Sequence, residues 1–435
     1  MKKTLLIIFL FLLSLVASAQ WSTATLQGPR YGLAGATAGN KAIFAGGIGF
    51  ISIPPGVYDM YDNTGNSWST GQISQGRYYL AGASTGNWAA FAGGENGWIL
   101  SKYDAVDIYN GTWNQWSSQN ALSASRCRLA GAGIGSKIMF GGGEEYGQAF
   151  YFSNVDIFDT ATQQWTTANL SVARSRLAAA AAGNKVLFAG GFGPAGFYST
   201  VDIYDITSGM WSTAQLSEAR SELSAVACGN KIYFAGGLNG AGQVSDRIDI
   251  YDADAGTWSV SNLSVPRRQA ATGTIGNLVF FAGGSTSSAS GTVGVVDVWD
   301  TLTGSWSVMN LSIPRSLCGA ASIGNKFILA GGLNNAGSPI SSVEIYTVIG
   351  TGLQPIHETH AVNAYPNPSS DGVFNINSDY DIVRIEVLDG TGRNVFESGL
   401  NVNTRIDLTS HPKGLYYMRA VRKDGNVEMV RLQKN

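Results

Sequence analysis

The chain has 435 residues, of which 13% are charged and 56 are glycine, and its formal net charge is −2. This balance argues against a nucleic-acid-binding protein, because such proteins concentrate Lys and Arg on one surface. Few charges, many glycines and 11% aromatic residues are typical of an all-β chain with short strands and tight turns.

The N-terminus predicts a secretory signal peptide at residues 1–19. Lys2 and Lys3 precede an apolar run at residues 5–16, and residues 17–19 form a small-residue cleavage site. The run is shorter than the roughly 20 residues that span a bilayer, and no later stretch is a better candidate. We expect a mature chain that begins at Gln20, lies outside the cytoplasm and has no transmembrane segment.

An apolar run that ends in two glycines recurs along most of the chain. Successive copies are separated by 46 to 49 residues, which indicates one supersecondary unit repeated seven times. The first glycines of the seven pairs are Gly46, Gly93, Gly142, Gly190, Gly236, Gly283 and Gly331.

Each unit predicts four antiparallel strands, a to d. In the fourth unit, strand a is the alanine-rich run 177–182, and Gly183-Asn184 is a tight hairpin turn. Strand b is the continuous apolar run 185–188, which predicts burial on both faces. Tyr204 lies in strand c, and Trp211 follows seven residues later at the start of strand d. We interpret these two rings, which recur from unit to unit, as packing residues.

The Gly-Gly pair, the aromatic residue seven positions before a Trp, and the Arg that opens each unit resemble the kelch repeat over residues 21–348. The resemblance implies a β-propeller in which each repeat forms one four-stranded blade. The last unit has no Trp after its strand c, whereas Trp21 begins a segment that matches the strand d of Trp211. We therefore predict a seven-bladed propeller at residues 20–349, whose N-terminal strand completes the last blade and removes an open edge.

Two charged positions are periodic and are predicted to form structural ion pairs near one face of the propeller. The arginines that open the units are Arg30, Arg77, Arg126, Arg174, Arg220, Arg267 and Arg315. The acids in strand c are Asp59, Asp107, Asp156, Asp202, Asp249, Asp297 and Glu344.

The loops between strands b and c are the first candidates for ligand binding, because variable loops on a rigid scaffold often carry binding sites. These b–c loops are aromatic in blades 2 to 4 and small and polar in blades 5 to 7. The candidate residues in them are Trp98, Tyr146, Phe150, Tyr151, Phe197 and Tyr198.

A second set of candidates lies two residues after each repeated Arg, at the start of strand a. This position varies between units and is Gly32, Tyr79, Arg128, Arg176, Glu222, Gln269 and Leu317. Arg128 and Arg176 in adjacent blades could hold a carboxylate, and aromatic residues beside Arg and Glu suit a sugar or a peptide. In the alternative interpretation, the aromatic residues pack on their own loops and the arginines pair with nearby acids.

We interpret the propeller as a non-catalytic module that binds a glycan or a protein. Its sequence contains no histidine, so we expect no His-based copper or zinc site and no cofactor. The alternative is a carbohydrate-active or sialic-acid mutarotase-like enzyme, in which Glu222 would be the acid–base beside Arg128 and Arg176. A structural surface protein without a defined ligand is a third hypothesis.

After a predicted linker at residues 350–363, short alternating strands separated by turn pairs predict a small β-sandwich at residues 364–435. This segment resembles the type A C-terminal sorting domain of the type IX secretion system. The resemblance implies export through the periplasm and outer membrane, the secretion machinery as a partner, and a secreted or surface location. It rests on Tyr365-Pro-Asn-Pro-Ser369, Asp389-Gly-Thr-Gly-Arg393, Pro412-Lys-Gly-Leu-Tyr416 and Arg431-Leu-Gln-Lys434.

Overall fold

The computed structural model describes residues 19–50, 55–97, 101–145, 150–287, 291–348, 362–378, 381–389, 393–399, 405–423 and 427–435. The chain divides into two compact units, Met1–Thr351 and Gly352–Asn435. In the described residues every element is a β-strand, as the composition predicts. No helix there is long and apolar enough to cross a membrane. Residues 1–18 of the predicted signal peptide and 350–361 of the predicted linker lie outside the described part.

Among its described residues, the larger unit contains seven four-stranded antiparallel sheets, which we call blades 1 to 7. The a strands are Ala34–Ala38, Ala81–Thr85, Ala130–Ile134, Ala178–Ala182, Ser224–Cys228, Ala271–Ile275 and Gly319–Ile323. The b strands are Lys41–Ala45, Trp88–Ala92, Lys137–Gly141, Lys185–Ala189, Lys231–Ala235, Leu278–Ala282 and Lys326–Ala330. The c strands are Val57–Asp62, Ala105–Asn110, Asn154–Asp159, Thr200–Asp205, Arg247–Asp252, Val295–Asp300 and Ser342–Val348. The d strands are Ser67–Gln72, Gln115–Asn120, Gln164–Asn169, Met210–Gln215, Thr257–Asn262, Ser305–Asn310 and, for blade 7, Ala19–Thr25.

Blade 7 takes its outer strand from the N-terminal part of the chain. Ala19–Thr25 pairs antiparallel with Ser342–Val348 and places Trp21 opposite Tyr346. The a strands contact one another in sequence order, and the last of them contacts the first. A methyl group on Gly35 would come 2.0 Å from the carbonyl oxygen of Ala320, so blades 1 and 7 approach backbone to backbone. The seven sheets therefore follow one another around a ring.

Each blade has a strongly buried strand b and one aromatic pair between strands c and d. In blade 4, Val186 to Ala189 are buried, and Tyr204 lies opposite Trp211 with ring centroids 5.0 Å apart. Across the seven blades the corresponding centroid distances are 5.0–5.3 Å. Tyr204 and Trp211 also pack against a cluster that includes Ala130 and Val155 of blade 3, so these rings lie between neighbouring sheets.

The Gly-Gly pair ends strand b where the next blade comes close. Gly190 and Gly191 have φ values of 66° and 114°, a region that side chains disfavour. A Cβ on Gly190 would lie 2.6 Å from the carbonyl oxygen of Arg220 in blade 5, and that oxygen accepts a hydrogen bond from the Gly191 N–H at 2.9 Å. The pair thus permits a backbone bond between neighbouring blades.

The repeated arginines and acids form seven buried ion pairs, which confirms the predicted pairing. The N–O distances are 2.5–2.7 Å in blades 1 to 4 and 7, blades 5 and 6 are paired in the same way, and no side chain exceeds 3% exposure. In blade 4, Arg174 Nη2 lies 2.7 Å from Asp202 Oδ2. The other oxygen, Oδ1, accepts the N–H of Ser171, which follows strand d of blade 3, at 2.9 Å. Each acid therefore ties its own blade to the preceding one.

The smaller unit has two sheets around a buried core that includes Phe374, Val387, Met418 and Leu432. The three-stranded sheet consists of Val362–Tyr365, Val373–Ser378 and Arg405–Asp407. The four-stranded sheet consists of Asn394–Ser398, Ile382–Asp389, Gly414–Arg422 and Val427–Lys434. Lys434 is buried, and its Nζ donates to the carbonyl oxygens of Leu408, Thr409 and His411 at 2.9, 2.9 and 2.6 Å.

Candidate functional site

Residues two positions after the repeated arginines form a backbone ring at one end of the central channel. In six of the seven blades, the N–H of this residue donates to the carbonyl oxygen of the equivalent residue in the preceding blade, at 2.8–3.0 Å. We call this set the mouth ring: Gly32, Tyr79, Arg128, Arg176, Glu222, Gln269 and Leu317.

Every residue of the mouth ring has a left-handed backbone conformation. The six non-glycine residues have φ values of 52–56°, and Gly32 has a φ of 66°. This conformation costs a non-glycine residue roughly 1–2 kcal/mol. Gly32 makes the same backbone bonds without that cost, so the ring geometry does not require the side chains of the other six blades.

The mouth ring surrounds a recess of about 280 Å³, whose lining includes the leucines that follow five of its members. An adjoining recess of about 270 Å³ shares Tyr79, Arg128 and Glu222. It extends toward Arg268 and the b–c loops of blades 6 and 7, where the lining residues are Ser285, Gly291, Thr292, Asn334, Asn335 and Gly337. Small side chains in these loops leave open space. The recess therefore lies partly over b–c loops in which the sequence predicts no candidate residue.

Arginines and glutamates alternate along one side of the mouth. Glu144 Oε1 lies 3.3 Å from both Arg128 Nε and Arg176 Nη2. Glu222 Oε1 lies 3.5 Å from Arg176 Nη1, and its Oε2 pairs with Arg268. We call these five residues the charged arc. The two adjacent arginines thus hold a carboxylate of the protein itself, as the alternative interpretation of the sequence expected.

Within the charged arc, the basic groups are more exposed than the acids. The side chains of Arg128 and Arg176 are 21% and 32% exposed, whereas Glu144 and Glu222 are 7% and 9% exposed. Ser175 Oγ donates to Glu144 Oε2 at 2.5 Å and holds that carboxylate below the surface. A ligand that enters the recess therefore meets guanidinium groups first.

Tyr79 extends the arc with an aromatic face. The guanidinium carbon of Arg128 lies 4.2 Å from the centroid of the Tyr79 ring, a cation–π distance. Burial raises the pKa of Tyr79 to about 12, so its hydroxyl stays protonated at neutral pH. Burial by itself lowers the pKa of Arg128, but electrostatic interactions with Tyr79 and Glu144 raise it overall. Both groups are hydrogen-bond donors under physiological conditions.

The aromatic candidates of the b–c loops form a separate group. Phe192 stands 6.0 Å from Tyr151 and 5.1 Å from Phe197, so the loops of blades 3 and 4 pack on each other. Phe150 is 57% exposed, and the Tyr198 hydroxyl accepts the Ala195 N–H at 3.3 Å. Among the described residues, these rings do not line either recess. Trp98 and Tyr146 lie outside the described residues.

Two members of the charged arc were not among the predicted binding residues. Arg268 directly follows Arg267, and the sequence pattern assigned a role only to Arg267, as one of the repeated arginines. Glu144 follows Gly143, and the residue after the glycine pair is acidic only in blades 2 and 3. That departure from the repeat was a usable signal. In the described residues no group of three or more His, Cys, Asp or Glu side chains is arranged to hold a metal ion.

Two sequence profiles match the chain. Residues 134–332 match the KLHDC2/KLHL20/DRC7 Kelch-repeats domain, and residues 363–432 match the Secretion system C-terminal sorting domain. The chain is a kelch-repeat protein with a C-terminal secretion sorting domain. No protein with a curated description matches the chain significantly.

The kelch match begins in the a–b hairpin of blade 3 and ends at the glycine pair of blade 7. It includes four of the five residues of the charged arc. Arg128, like Tyr79, lies before the matched residues. The sorting domain indicates export through the type IX secretion system to the cell surface or the extracellular space.

Proposed function

We propose that the kelch domain is an extracellular, non-catalytic binding module whose ligand, a glycan or a protein segment, presents a carboxylate to the mouth ring. The sorting domain supports the extracellular setting. The observation that carries the proposal is the mouth ring itself, in which six non-glycine residues have a left-handed backbone conformation around one recess.

Strain of this kind supports a binding role. Glycine satisfies the backbone at this position in blade 1, and it would do so in the other blades at lower conformational cost. Strained residues cluster at sites that bind ligands, where the side chain compensates for the cost. At four consecutive ring positions the side chains retained are Tyr79, Arg128, Arg176 and Glu222, which bind polar and charged ligands well.

Charge supports an acidic ligand. The charged arc contains three arginines and two glutamates, which leaves one positive charge in excess. A ligand carboxylate would balance it. Arg176 is the more exposed of the two arginines that contact Glu144. A guanidinium recognises a carboxylate through paired hydrogen bonds. We therefore assign Arg176 as the principal contact.

The proposal is tested by calorimetric titration of the full chain with methyl glucuronoside and with peptides that carry one acidic side chain, using the corresponding carboxamides as uncharged controls. We expect Arg176→Met to weaken binding of the acidic probe by about tenfold or more, the loss of a charged hydrogen bond. Lys185→Met removes the same charge at the other end of blade 4 and should leave binding unchanged.

Equal affinities of the two variants for the acidic probe, or no binding of any acidic probe, would contradict the proposed mouth site. The bound probe should also be recovered chemically unchanged after prolonged incubation. Turnover that is lost in Glu222→Gln would instead support the enzymatic alternative. The two probe classes separate a glycan ligand from a protein ligand.

A further inference from the structure

At the opposite end of the strands, blade 2 departs from the repeat. In blades 1, 3, 4 and 5, the Lys that begins strand b pairs with the Asp that ends strand c. In blade 2 the two positions are Trp88 and Asn110, which lie opposite each other in the same register. A surface ion pair is thus replaced by an indole and an uncharged amide.

A third residue of blade 2 that departs from the repeat, Trp113, lies beside Trp88 and Asn110. Trp113 lies in the turn between strands c and d, and its ring centroid is 6.0 Å from that of Trp88, edge to face at 80°. Asn110 Oδ1 accepts the N–H groups of Thr112 and Trp113 at 2.9 and 3.2 Å. Small residues occupy the position of Trp113 in the other complete turns: Gly65, Thr162, Ser208, Ala255 and Thr303.

The turn does not need the Trp113 side chain. In blade 1, Asp62 Oδ1 accepts the N–H groups of Thr64 and Gly65 in the same way, so a small residue closes the same turn. Trp113 is 58% exposed and therefore contributes little to the core. Trp88 is half-buried and packs edge-on against Phe158, with centroids 5.9 Å apart. An exposed indole thus rests on an anchored one.

We infer that Trp88 and Trp113 form a second binding site on the kelch domain, and that its ligand is a neutral carbohydrate. The C–H groups on one face of a pyranose ring carry partial positive charge and pack on the electron-rich face of an indole. Around Trp113, the exposed side chains of Thr112, Asn114 and Gln115 are uncharged donors and acceptors that match sugar hydroxyls.

The size and charge of the patch favour a sugar over other ligands. A stable protein interface buries about 800 Å² on each partner, whereas the exposed apolar surface here is centred on a single indole. An acidic ligand would find no cation at the position that Lys occupies in five other blades. Five-residue strands of about 3.3 Å per residue separate the patch from the mouth ring by roughly 16 Å. The two sites therefore lie at different places on the kelch domain.

The test is calorimetric titration of the full chain with cellohexaose, xylohexaose, mannohexaose and laminarihexaose. We expect at least one of these to bind, and Trp113→Ala to weaken it by about tenfold or more, as for truncation of a central aromatic contact. Trp113→Phe should retain part of the affinity. The double variant Trp88→Lys, Asn110→Asp restores the pattern of four other blades, so it should fold normally and lose binding.

Two controls isolate the site. Leu302→Ala removes an exposed apolar side chain from the corresponding turn of blade 6 and should change nothing. Arg176→Met should leave neutral-sugar binding unchanged, so failure of the mouth site and failure of this site are distinguishable. The inference is overturned if none of the four sugars binds, or if Trp113→Ala binds as the unaltered chain does. It is equally overturned if Trp113→Ala changes only the oligomeric state.

Discussion

The buried pair of Arg174 and Asp202 allows a direct test of how the blades are held. Besides Asp202, the Arg174 side chain donates to the carbonyl oxygens of Gly190, Val172 and Phe188 at 2.7, 3.0 and 3.0 Å. Arg174→Met keeps an unbranched side chain that reaches about as far as Nε, but it removes the guanidinium and its charge. Among the described residues, Asp202, at about 2% exposure, would keep only the N–H of Ser171 as a partner. We expect the free energy of unfolding to fall by about 3–5 kcal/mol, the usual result of breaking one side of a buried pair.

Tryptophan fluorescence during urea unfolding measures this loss selectively, because all 11 tryptophans precede residue 349 and report on the kelch domain alone. Lys185→Met is the matched control in the same blade. Its pair with Asp205 is partly exposed, at 23% and 19%, so its removal should cost less than about 1 kcal/mol.

A second variant makes the test decisive. Arg174→Met combined with Asp202→Asn removes both charges, while the amide oxygen still accepts the N–H of Ser171. This double variant should recover part of the stability lost in the single one, because the unpaired buried charge is gone, although the three carbonyl oxygens still lack the arginine donor. The reasoning is refuted if Arg174→Met unfolds within about 1 kcal/mol of the unaltered chain, or if the double variant is no more stable than the single one.

Two further predictions concern a turn of the kelch domain and the core of the sorting domain. Hydrogen bonds from Lys185 and the Ser208 N–H hold the pKa of Asp205 well below its ordinary value of 3.8. The stabilisation that the Asp205 carboxylate contributes is therefore complete above pH 4 and is lost as the pH falls toward the folded-state pKa. Melting temperatures followed from pH 5 to pH 2 should decrease less in Asp205→Asn than in the unaltered chain, and equal decreases would contradict this. In the sorting domain, Lys434→Met removes the Nζ donor from the carbonyl oxygens of Leu408, Thr409 and His411, of which that of Leu408 keeps the N–H of His411. This loss should lower local stability by about 1–3 kcal/mol, seen as faster hydrogen exchange at residues 405–411, whereas exposed Lys413→Met should exchange as the unaltered chain does.

Much of the propeller could be predicted because seven copies of one pattern reinforce each other. The resemblance of Trp21 to Trp211 was enough to assign the N-terminal strand to the last blade, and the structure pairs it there. In the smaller unit, the structure contains short strands as the turn pairs predict, but Val362–Tyr365 carries no strong strand pattern, and the predicted linker at residues 350–363 includes the first two residues of that strand.

The candidate site was less predictable, for physical reasons. The left-handed conformation of the mouth ring is imposed by bonds between blades, and neither Arg128 nor Leu317 is a residue type that signals it. Ion-pair partners depend on where loops end in space. Glu144 reaches Arg176 of the next blade, 32 residues away, and sequence spacing does not reveal that contact.

The uneven distribution of side chains around the mouth has a consequence for how a ligand binds. Blades 3 to 6 contribute the charged arc, whereas blades 7 and 1 contribute Leu317 and Gly32 to the same ring. The mouth therefore has a charged side and an apolar side across one recess. A ligand whose carboxylate contacts Arg176 must direct its remaining atoms toward the apolar side or the adjoining recess. A sugar with one acidic group on an otherwise uncharged ring suits this division better than a uniformly charged chain, because additional carboxylates would lie over Leu317 without a cation.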